Sequence, residues 1–274
     1  MWINYFSSNG QTPKIVDKKV FHIFLFFVII PHDDKMIFTG GIMDFAELTE
    51  KCRNIGIDLD EQKINALKRY MELLTEWNEK INLTAIKEPA EIIEKHFYDC
   101  ILPLSSGLIS GRCADVGSGA GFPGLVWKIV HPDLKMVLIE PTGKRCTFLQ
   151  TVIRELDLRE TDVVNERSED YVKTEREAFD TVTARAVANL SVLSELCIPL
   201  VKKGGIFAAM KGSAGEAEAT EAEHAMKVLG ASLKTVQKAS LENGDERVNL
   251  FYVKTAHTPP EYPRNYGRIK KKPL

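Results

Sequence analysis

The 274-residue chain lacks the cysteine patterns of metal-binding and disulfide-stabilised proteins. Its five cysteines are scattered, odd in number and include no C-x-x-C pair. That pattern disfavours both a zinc site and a disulfide framework, and it fits the reducing cytoplasm. We therefore predict a cytoplasmic protein without a bound metal.

The chain also lacks a hydrophobic run long enough to cross a membrane. Residues 20–30 form an apolar run of eleven that ends at Pro31, whereas a membrane-spanning helix needs about 20 residues. The residues that follow offer no signal-peptide cleavage site. We expect residues 1–42 to be an atypical extension, either an added strand or interfacial segment or, as we favour, sequence upstream of a true start at Met43. In either case we predict no membrane partner.

An excess of positive charge is missing as well. The formal net charge is −2, with 44% hydrophobic and 27% charged residues. This composition is ordinary for a globular protein and argues against a uniformly basic nucleic-acid binder. Any contact with nucleic acid must therefore come from a local basic patch.

Residues 112–124, R-C-A-D-V-G-S-G-A-G-F-P-G, are the most informative segment. A strand pattern ends at Asp115, and three glycines spaced by two then allow a tight turn. Pro123 stands where a helix can begin, since its missing N–H would be unpaired there. A strand, a glycine turn and a helix start in this order predict a site for a nucleotide-like ligand.

The ligand of this segment has two interpretations. The spacing of Gly119, Gly121 and Gly124 matches the dinucleotide fingerprint, with Glu140 as the ribose-binding acid. The acid at Asp115 favours S-adenosylmethionine instead, because a carboxylate attracts an ammonium and a sulfonium but repels a pyrophosphate. The segment resembles the first motif of class I methyltransferases. A nicotinamide enzyme and a purely structural glycine turn stay as alternatives.

The order of predicted elements indicates the fold class. Beyond residue 111, strands and helices alternate, which is typical of a parallel, helix-covered sheet. We predict strands at 112–116, 135–140, 162–165, 179–184, 205–211, 233–237 and 248–254. The connecting helices are predicted at 124–130, 144–156, 189–200 and 214–229. Five parallel strands and a terminal hairpin resemble the topology of the class I S-adenosylmethionine-dependent methyltransferases. The resemblance implies an α/β, Rossmann-like fold with a mainly parallel seven-stranded sheet.

The domain boundaries follow from the same pattern. Three helices predicted between residues 43 and 106, one of them with Asp58 or Asp60 as its cap, form an N-terminal helical region. Residues 107–256 form the predicted methyltransferase core, and residues 257–274 form a basic C-terminal tail.

Ligands of open parallel sheets bind beyond the carboxyl ends of the strands. There we expect cofactor contacts from Asp115, Gly117, Ser118, Gly119, Gly121, Phe122 and Glu140. Five basic residues at or near these ends predict a positively charged crevice and an anionic substrate: Lys144, Arg145, Arg185, Lys211 and Arg247. Arg185 has the alternative of a structural ion pair with an acid such as Asp180. His96, three residues before Asp99, is either a site residue or a structural histidine.

Several segments together resemble the ribosomal RNA small subunit methyltransferase G family, also called glucose-inhibited division protein B. They are W-N-x-x-x-N-L-T at 77–84, H-x-x-D at 96–99, the glycine segment at 115–124, G-K-R at 143–145, A-R-A-V-A at 184–188, K-G at 211–212 and Y-P-R-x-x-G-x-x-x-K-x-P-L at 262–274. Cys100 stands where serine is more usual. The resemblance covers residues 43–274, and residues 1–42 depart from it.

The resemblance implies transfer of a methyl group from S-adenosylmethionine to N7 of one guanine, guanine-527, in 16S rRNA or the 30S subunit. It implies catalytic roles for Arg185, Lys211 and His96, and cofactor contacts from Ser168, Glu169 and Arg185. The expected RNA-binding residues are Lys144, Arg145, Arg247, Arg264, Arg268, Lys270, Lys271 and Lys272. For the five in the tail, from Arg264 on, a disordered solvated end is the alternative to a contact with rRNA phosphates. We expect a monomer. A non-catalytic RNA-binding assembly factor and an NAD-dependent oxidoreductase are the competing functions.

Overall fold

Residues 43–185 and 188–274 are described by a computed structural model of the chain. The predictions for residues 1–42, and for the positions 186 and 187 of the A-R-A-V-A motif, lie outside these described residues.

The N-terminal region is helical, as predicted. Asp44 caps the first helix and Asp60, the second of the two cap candidates, caps the next by accepting the Lys63 N–H at 2.8 Å. The helices are α1 (Phe45–Asn54), α2 (Glu61–Ile81), α3 (Pro89–Ile92) and α4 (Asp99–Ile101), with a π-helical turn, Ile93–Tyr98, joining α3 to α4. A short 3₁₀ helix follows at Leu102–Ser106.

Seven strands form one sheet: β1 (Arg112–Val116), β2 (Lys135–Ile139), β3 (Thr161–Val164), β4 (Phe179–Arg185), β5 (Val201–Gly212), β6 (Ala231–Ser240) and β7 (Glu246–Lys254). Their order is β3-β2-β1-β4-β5-β7-β6. The first five strands are parallel, and β7 pairs antiparallel with both β5 and β6. The predicted mainly parallel sheet with a terminal hairpin is therefore confirmed. The inserted antiparallel strand distinguishes it from the dinucleotide-binding order 3-2-1-4-5-6.

The remaining α-helices are α5 (Gly124–Val130), α6 (Gly143–Glu155), α7 (Ser168–Glu175), α8 (Leu190–Cys197), α9 (Gly215–Glu221), α10 (Glu223–Leu229) and α11 (Tyr266–Lys271), and a 3₁₀ helix, Ile198–Leu200, follows α8. The single helix predicted at 214–229 is interrupted at Ala222, where ψ changes to 1°. Among the described residues, no helix combines the length and the apolar character needed to cross a membrane.

Two hydrophobic layers cover the two faces of the sheet. One contains Leu74, Phe97 and Trp127 from the N-terminal helices and α5, and the other contains Leu193 and Phe207 from α8 and β5. All five residues are at most 1% exposed. Because both faces are covered there, β2, the middle of β5 and β7 carry buried apolar runs, whereas the edge strand β6 is largely exposed.

Candidate active site

The loop after β1 turns through three glycines with positive φ angles: Gly117, Gly119 and Gly121. A Cβ at Gly121 would lie 2.3 Å from a Leu125 methyl carbon, so no side chain fits there. A Cβ at Gly119 would meet nothing closer than 3.8 Å. One glycine thus allows close packing under the loop, and the other leaves bare backbone towards open space.

Asp115, the acid at the end of β1, lies under the loop and is 0% exposed. Its Oδ2 accepts the Gly124 N–H at 3.0 Å and so caps the first turn of α5, while Oδ1 has no partner among the described residues. Burial raises the pKa of this carboxyl to about 7, although the Gly124 hydrogen bond opposes the shift. The position of Asp115 is that of a residue that fixes the loop. It does not line the cavity above it, where a direct cofactor contact was expected.

That cavity opens beside the loop and has a volume of about 440 Å³. Its wall includes bare loop backbone, one carboxylate and two arginines. The lining residues are Leu83, Thr84, His96, Gly117, Ser118, Gly119, Ala120, Phe122, Glu140, Pro141, Thr142, Arg145 and Arg185. It therefore brings together the glycine loop, the end of β2, the end of β4 and the N-terminal helical region.

Glu140 follows β2 on the cavity wall and is 2% exposed. Its two oxygens accept the N–H groups of Gly119 at 2.9 Å and Thr142 at 2.8 Å, and Arg145 lies 3.9 Å away. A carboxylate offers about four acceptor sites, so these two bonds leave capacity for further donors. The carboxylate is thus oriented by backbone and available to a ligand hydroxyl.

The residues predicted at the start of α7 lie apart from this wall. Ser168 is buried at the first position of the helix and Glu169 is partly buried beside it, but neither lines the cavity. The nearest contribution from β3 is Asn165, whose Nδ2 donates to the Glu140 carbonyl at 3.0 Å. The cofactor contact of Ser168 and Glu169 stays a prediction.

Arg185, the last residue of β4, reaches back to the π-helical turn. Its Nη1 donates to the Lys95 carbonyl at 3.0 Å and to Asp99 Oδ2 at 3.1 Å, and Nη2 lies 3.1 Å from His96 Nδ1. The guanidinium carbon lies 5.0 Å from the centre of the Phe122 ring. The acid that pairs with Arg185 is therefore Asp99, not the alternative Asp180, which instead pairs with Lys202.

His96 is stacked on Phe122, with 4.4 Å between the ring centroids and 24° between the planes. Its Nε2 lies 2.9 Å from Thr84 Oγ1. Burial and the positive charge of Arg185 lower the pKa of His96 to about 3. The imidazole is therefore neutral near pH 7, and it is a poor general acid there.

Asp99 also binds a second cation. Its Oδ1 accepts from Arg247 Nε at 3.1 Å, while Oδ2 accepts from Arg185. One carboxylate thus holds two guanidinium groups, and Arg247 pairs in addition with Asp245 at 3.7 Å. The link joins the end of β4, the start of α4 and the start of β7.

The chain matches the family model of GidB, the rRNA small subunit methyltransferase G, over residues 63–248. A relative named ribosomal RNA small subunit methyltransferase G from Clostridium botulinum (strain ATCC 19397 / Type A) is 44% identical over 235 residues, which is 84% of this chain and 98% of the relative. One of the same name from Desulfitobacterium hafniense (strain Y51) is 46% identical over 226 residues, 81% of this chain and 94% of the relative.

The chain belongs to the rRNA small subunit methyltransferase G family. The resemblance seen in the sequence and the predicted fold class are both confirmed. Among solved structures, M. jannaschii TYW2 in complex with AdoMet is similar with a TM-score of 0.45 and 14% identity, over 54% of this chain and 72% of that one.

The cavity of this family member fits S-adenosylmethionine. Ligand pockets usually have about 300–1,000 Å³, and this one has about 440 Å³. The bare backbone at Gly119 lies beside the oriented carboxylate of Glu140. Glu140 would bind the ribose hydroxyls, and the loop backbone would lie along the ligand. Among residues 43–185 and 188–274, no group of three or more His, Cys, Asp or Glu side chains is placed to hold a metal ion.

Lys211 has structural partners and does not line the cavity. Its Nζ donates to the Ala188 carbonyl at 2.8 Å and lies 2.7 Å from Glu218, and the side chain is 9% exposed. Glu218 also accepts the Leu190 N–H at the start of α8. Glu218 therefore belongs to an internal ion pair, and the expected excess of positive charge in the crevice is smaller than the sequence indicated.

Arg264, expected in the basic RNA-binding tail, is anchored to a buried acid. Its backbone N–H and Nε donate to Glu195 Oε1 at 2.8 and 2.9 Å, and Nη2 donates to Oε2 at 2.6 Å. Glu195 is 0% exposed. Ile269, on α11, is also 0% exposed, so the tail is packed against the core. Arg264 is thus placed to hold the tail, and the prediction of a phosphate contact does not fit its position.

The other predicted RNA-binding residues divide by exposure. Arg145 is half-buried at the cavity and Arg247 is bound to Asp99. Exposed side chains are found at Lys144, Arg268, Lys270, Lys271 and Lys272.

Several residues of this site were not predicted from the sequence. Leu83, Thr84, Pro141 and Thr142 line the cavity, and the signal for two of them was the quoted W-N-x-x-x-N-L-T segment. Tyr70, on α2, donates its hydroxyl to the Ala120 carbonyl of the glycine loop. Such contacts join residues 50 positions apart, so no local pattern reports them.

Proposed function

We propose that this protein transfers a methyl group from S-adenosylmethionine to N7 of a guanine in 16S rRNA, guanine-527. The observation that carries the proposal is a cofactor-sized cavity that is lined by both the backbone-oriented carboxylate of Glu140 and the side chain of Arg185. Membership of the rRNA small subunit methyltransferase G family supports the class of substrate.

The chemistry of guanine N7 agrees with the side chains in the cavity. N7 carries an in-plane lone pair that is free at neutral pH, so attack on a methyl group needs no general base. S-adenosylmethionine supplies that methyl group on its sulfonium. The described wall includes one histidine, His96, whose lowered pKa keeps it neutral at pH 7. Catalysis then depends on orientation and on electrostatics around the reacting atoms.

Arg185 is the residue we assign to the guanine. Three of its N–H groups bond to Lys95, Asp99 and His96, which leaves two of the five without a partner among residues 43–185 and 188–274. A guanidinium that gripped O6 and N7 together would block the attacking atom. We therefore assign the remaining donors to O6 or to a neighbouring phosphate, and not to N7.

The exposed basic side chains are assigned to the rRNA backbone. Lys144 lies at the start of α6, next to Arg145 of the cavity wall, and four further cations lie on the tail beyond its anchor. The chain as a whole has a net charge of −2, so contacts with rRNA phosphates depend on these few cations. We therefore expect the affinity for rRNA to fall as salt rises, with a slope that is limited by the small number of phosphate contacts.

The test is methylation of 16S rRNA by the purified protein, with naked rRNA and 30S subunits as parallel substrates. Treatment with borohydride and aniline cleaves RNA at N7-methylguanine, and we expect one new cleavage, at guanine-527. The Arg185→Ala variant should lose about 10²- to 10³-fold in kcat. Arg154→Ala, which removes an exposed arginine of α6, is the matched control and should keep the wild-type rate.

Two results would contradict the proposal. Binding of S-adenosylmethionine without consumption in the presence of either substrate would favour the non-catalytic assembly factor. Wild-type turnover by Arg185→Ala, at unchanged thermal stability, would remove the role of this arginine.

A further inference from the structure

The loop after α2 is fixed by one asparagine. Asn78 Oδ1 accepts the N–H groups of Leu83 at 2.6 Å and Thr84 at 2.9 Å, and its Nδ2 donates to the Thr84 carbonyl at 2.9 Å. Asn82 ends the helix with a left-handed φ of 49°. The backbone of Thr84 is thus held on both sides, and its side chain stands on the cavity wall.

The Thr84 hydroxyl contacts two groups. It accepts the Ile86 N–H at 3.1 Å, and it lies 2.9 Å from Nε2 of His96. A hydroxyl oxygen has two lone pairs, so it can accept from both groups at once. Its position allows it to bond either tautomer of the imidazole, and the other ring nitrogen decides which one is present.

The contacts of Nδ1 select the tautomer of His96. Nδ1 lies 3.1 Å from Arg185 Nη2 and 3.2 Å from the Lys95 carbonyl. A guanidinium is a permanent donor with no acceptor, so a proton on Nδ1 would face another donor. The Lys95 carbonyl meanwhile accepts from Arg185 Nη1. Nδ1 is therefore the acceptor, and the proton lies on Nε2, directed at Thr84.

We propose that Thr84 is a positioning residue for the active site. Its hydroxyl accepts the Nε2–H of His96 and so holds the ring with its acceptor Nδ1 towards the Arg185 guanidinium, which lies over the Phe122 ring. Thr84 thus acts on the reaction through His96 and Arg185. The expected effect of Thr84 on turnover rests on the proposed guanine methylation. The tautomer of His96 and its hydrogen bond to Thr84 do not depend on that proposal.

The first measurement concerns the free protein. Nitrogen-15 NMR of the labelled imidazole should show His96 as the neutral Nε2–H tautomer near pH 7. Thr84→Val, which removes the hydroxyl at nearly constant shape, should shift that ring signal, and Thr84→Ser should restore it. Thr75→Val is the matched control, because it removes an exposed threonine hydroxyl from α2 that bonds only the Met71 carbonyl. A wild-type spectrum with the proton on Nδ1 would overturn the proposal, whatever the variants do.

The second measurement separates the effect on turnover from cofactor binding. Thr84→Val should lower kcat about 10- to 100-fold, the usual effect of removing a group that orients an active-site side chain. Its Kd for S-adenosylmethionine, from calorimetry, should stay within about threefold, because Glu140 and the glycine loop are unchanged. Thr84→Ser should recover most of the rate, and Thr75→Val should lose none.

The outcomes distinguish this inference from the proposed function. A wild-type protein that does not methylate guanine N7 contradicts the proposed function, and the NMR comparison still decides the role of Thr84. An active wild-type protein whose Thr84→Val variant keeps its kcat and its His96 signal contradicts the positioning role alone.

Discussion

The buried pair of Arg264 and Glu195 leads to a prediction about stability. Arg264→Ala removes two side-chain hydrogen bonds to a carboxylate that is 0% exposed, and leaves the backbone bond of residue 264 in place. Removing one partner of a buried ion pair costs about 3–5 kcal/mol, because the other charge stays buried without compensation. The Arg264 side chain is 23% exposed, and water can therefore reach the site in part. We accordingly expect a loss of about 3 kcal/mol in the free energy of unfolding.

Urea unfolding followed by circular dichroism measures this change. A loss of about 3 kcal/mol corresponds to a fall in Tm of roughly 6–12 °C for a domain of this size. Arg268→Ala is the matched control, because it removes an exposed arginine from the same tail and should change stability by less than about 0.5 kcal/mol. Glu195→Gln combined with Arg264→Ala should recover part of the loss, since it replaces the unpaired charge by a neutral amide.

Binding to rRNA gives the complementary result. Arg268→Ala should reduce the slope of log K against log salt by about one phosphate contact, and Arg264→Ala should leave that slope unchanged at temperatures where it is folded. The reasoning is refuted if Arg264→Ala keeps wild-type stability and instead reduces the salt slope. Arg264 would then be a phosphate ligand and not an anchor of the tail.

Two further predictions concern the glycine loop. Gly121→Ala should lower the free energy of unfolding by about 2 kcal/mol or more and weaken S-adenosylmethionine binding, because its φ is +96° and the new Cβ would lie 2.3 Å from Leu125. Gly244→Ala, with φ +84° and nothing within 4 Å, separates strain from crowding in the same unfolding assay. Gly244→Ala should lower the free energy of unfolding by only about 1 kcal/mol. Equal losses for the two variants would contradict a steric clash between the new Cβ at position 121 and Leu125. Because burial raises the pKa of Asp115 to about 7, the folded state keeps a proton that the unfolded chain releases near pH ~4. Stability should therefore fall as pH rises from about 4 to 7, and Asp115→Asn should remove that part of the slope. Urea titrations at several pH values test this, and parallel curves for wild type and variant would contradict it.

The local pattern of the sequence predicted the elements that position the site. The strands β1 and β4 and the helix α5 lie within a residue of their predicted bounds, because apolar periodicity, glycine and proline act on the backbone close to where they stand. Glu140 on the cavity wall followed from the rule that parallel strands present their carboxyl ends at one edge.

The partners of the charged groups could not be read in this way. Arg185 pairs with Asp99 across 86 residues and Arg264 with Glu195 across 69, and Lys211 donates to the Ala188 carbonyl across 23. A charge in a sequence carries no information about which opposite charge it will meet, and burial changes its role from ligand contact to structural pair. The partner of Asp115 was not predicted either, although it lies only nine residues away: the carboxylate accepts the Gly124 N–H and caps α5 under the loop.

The sequence by itself thus determined the sheet, the glycine loop and the family, because each depends on short-range patterns that act on the backbone. Only the tertiary structure decided which charges are free to meet a ligand and which are neutralised inside the protein. The physical reason is that an ion pair or a buried hydrogen bond is a property of two groups brought together by folding, and neither group specifies it alone.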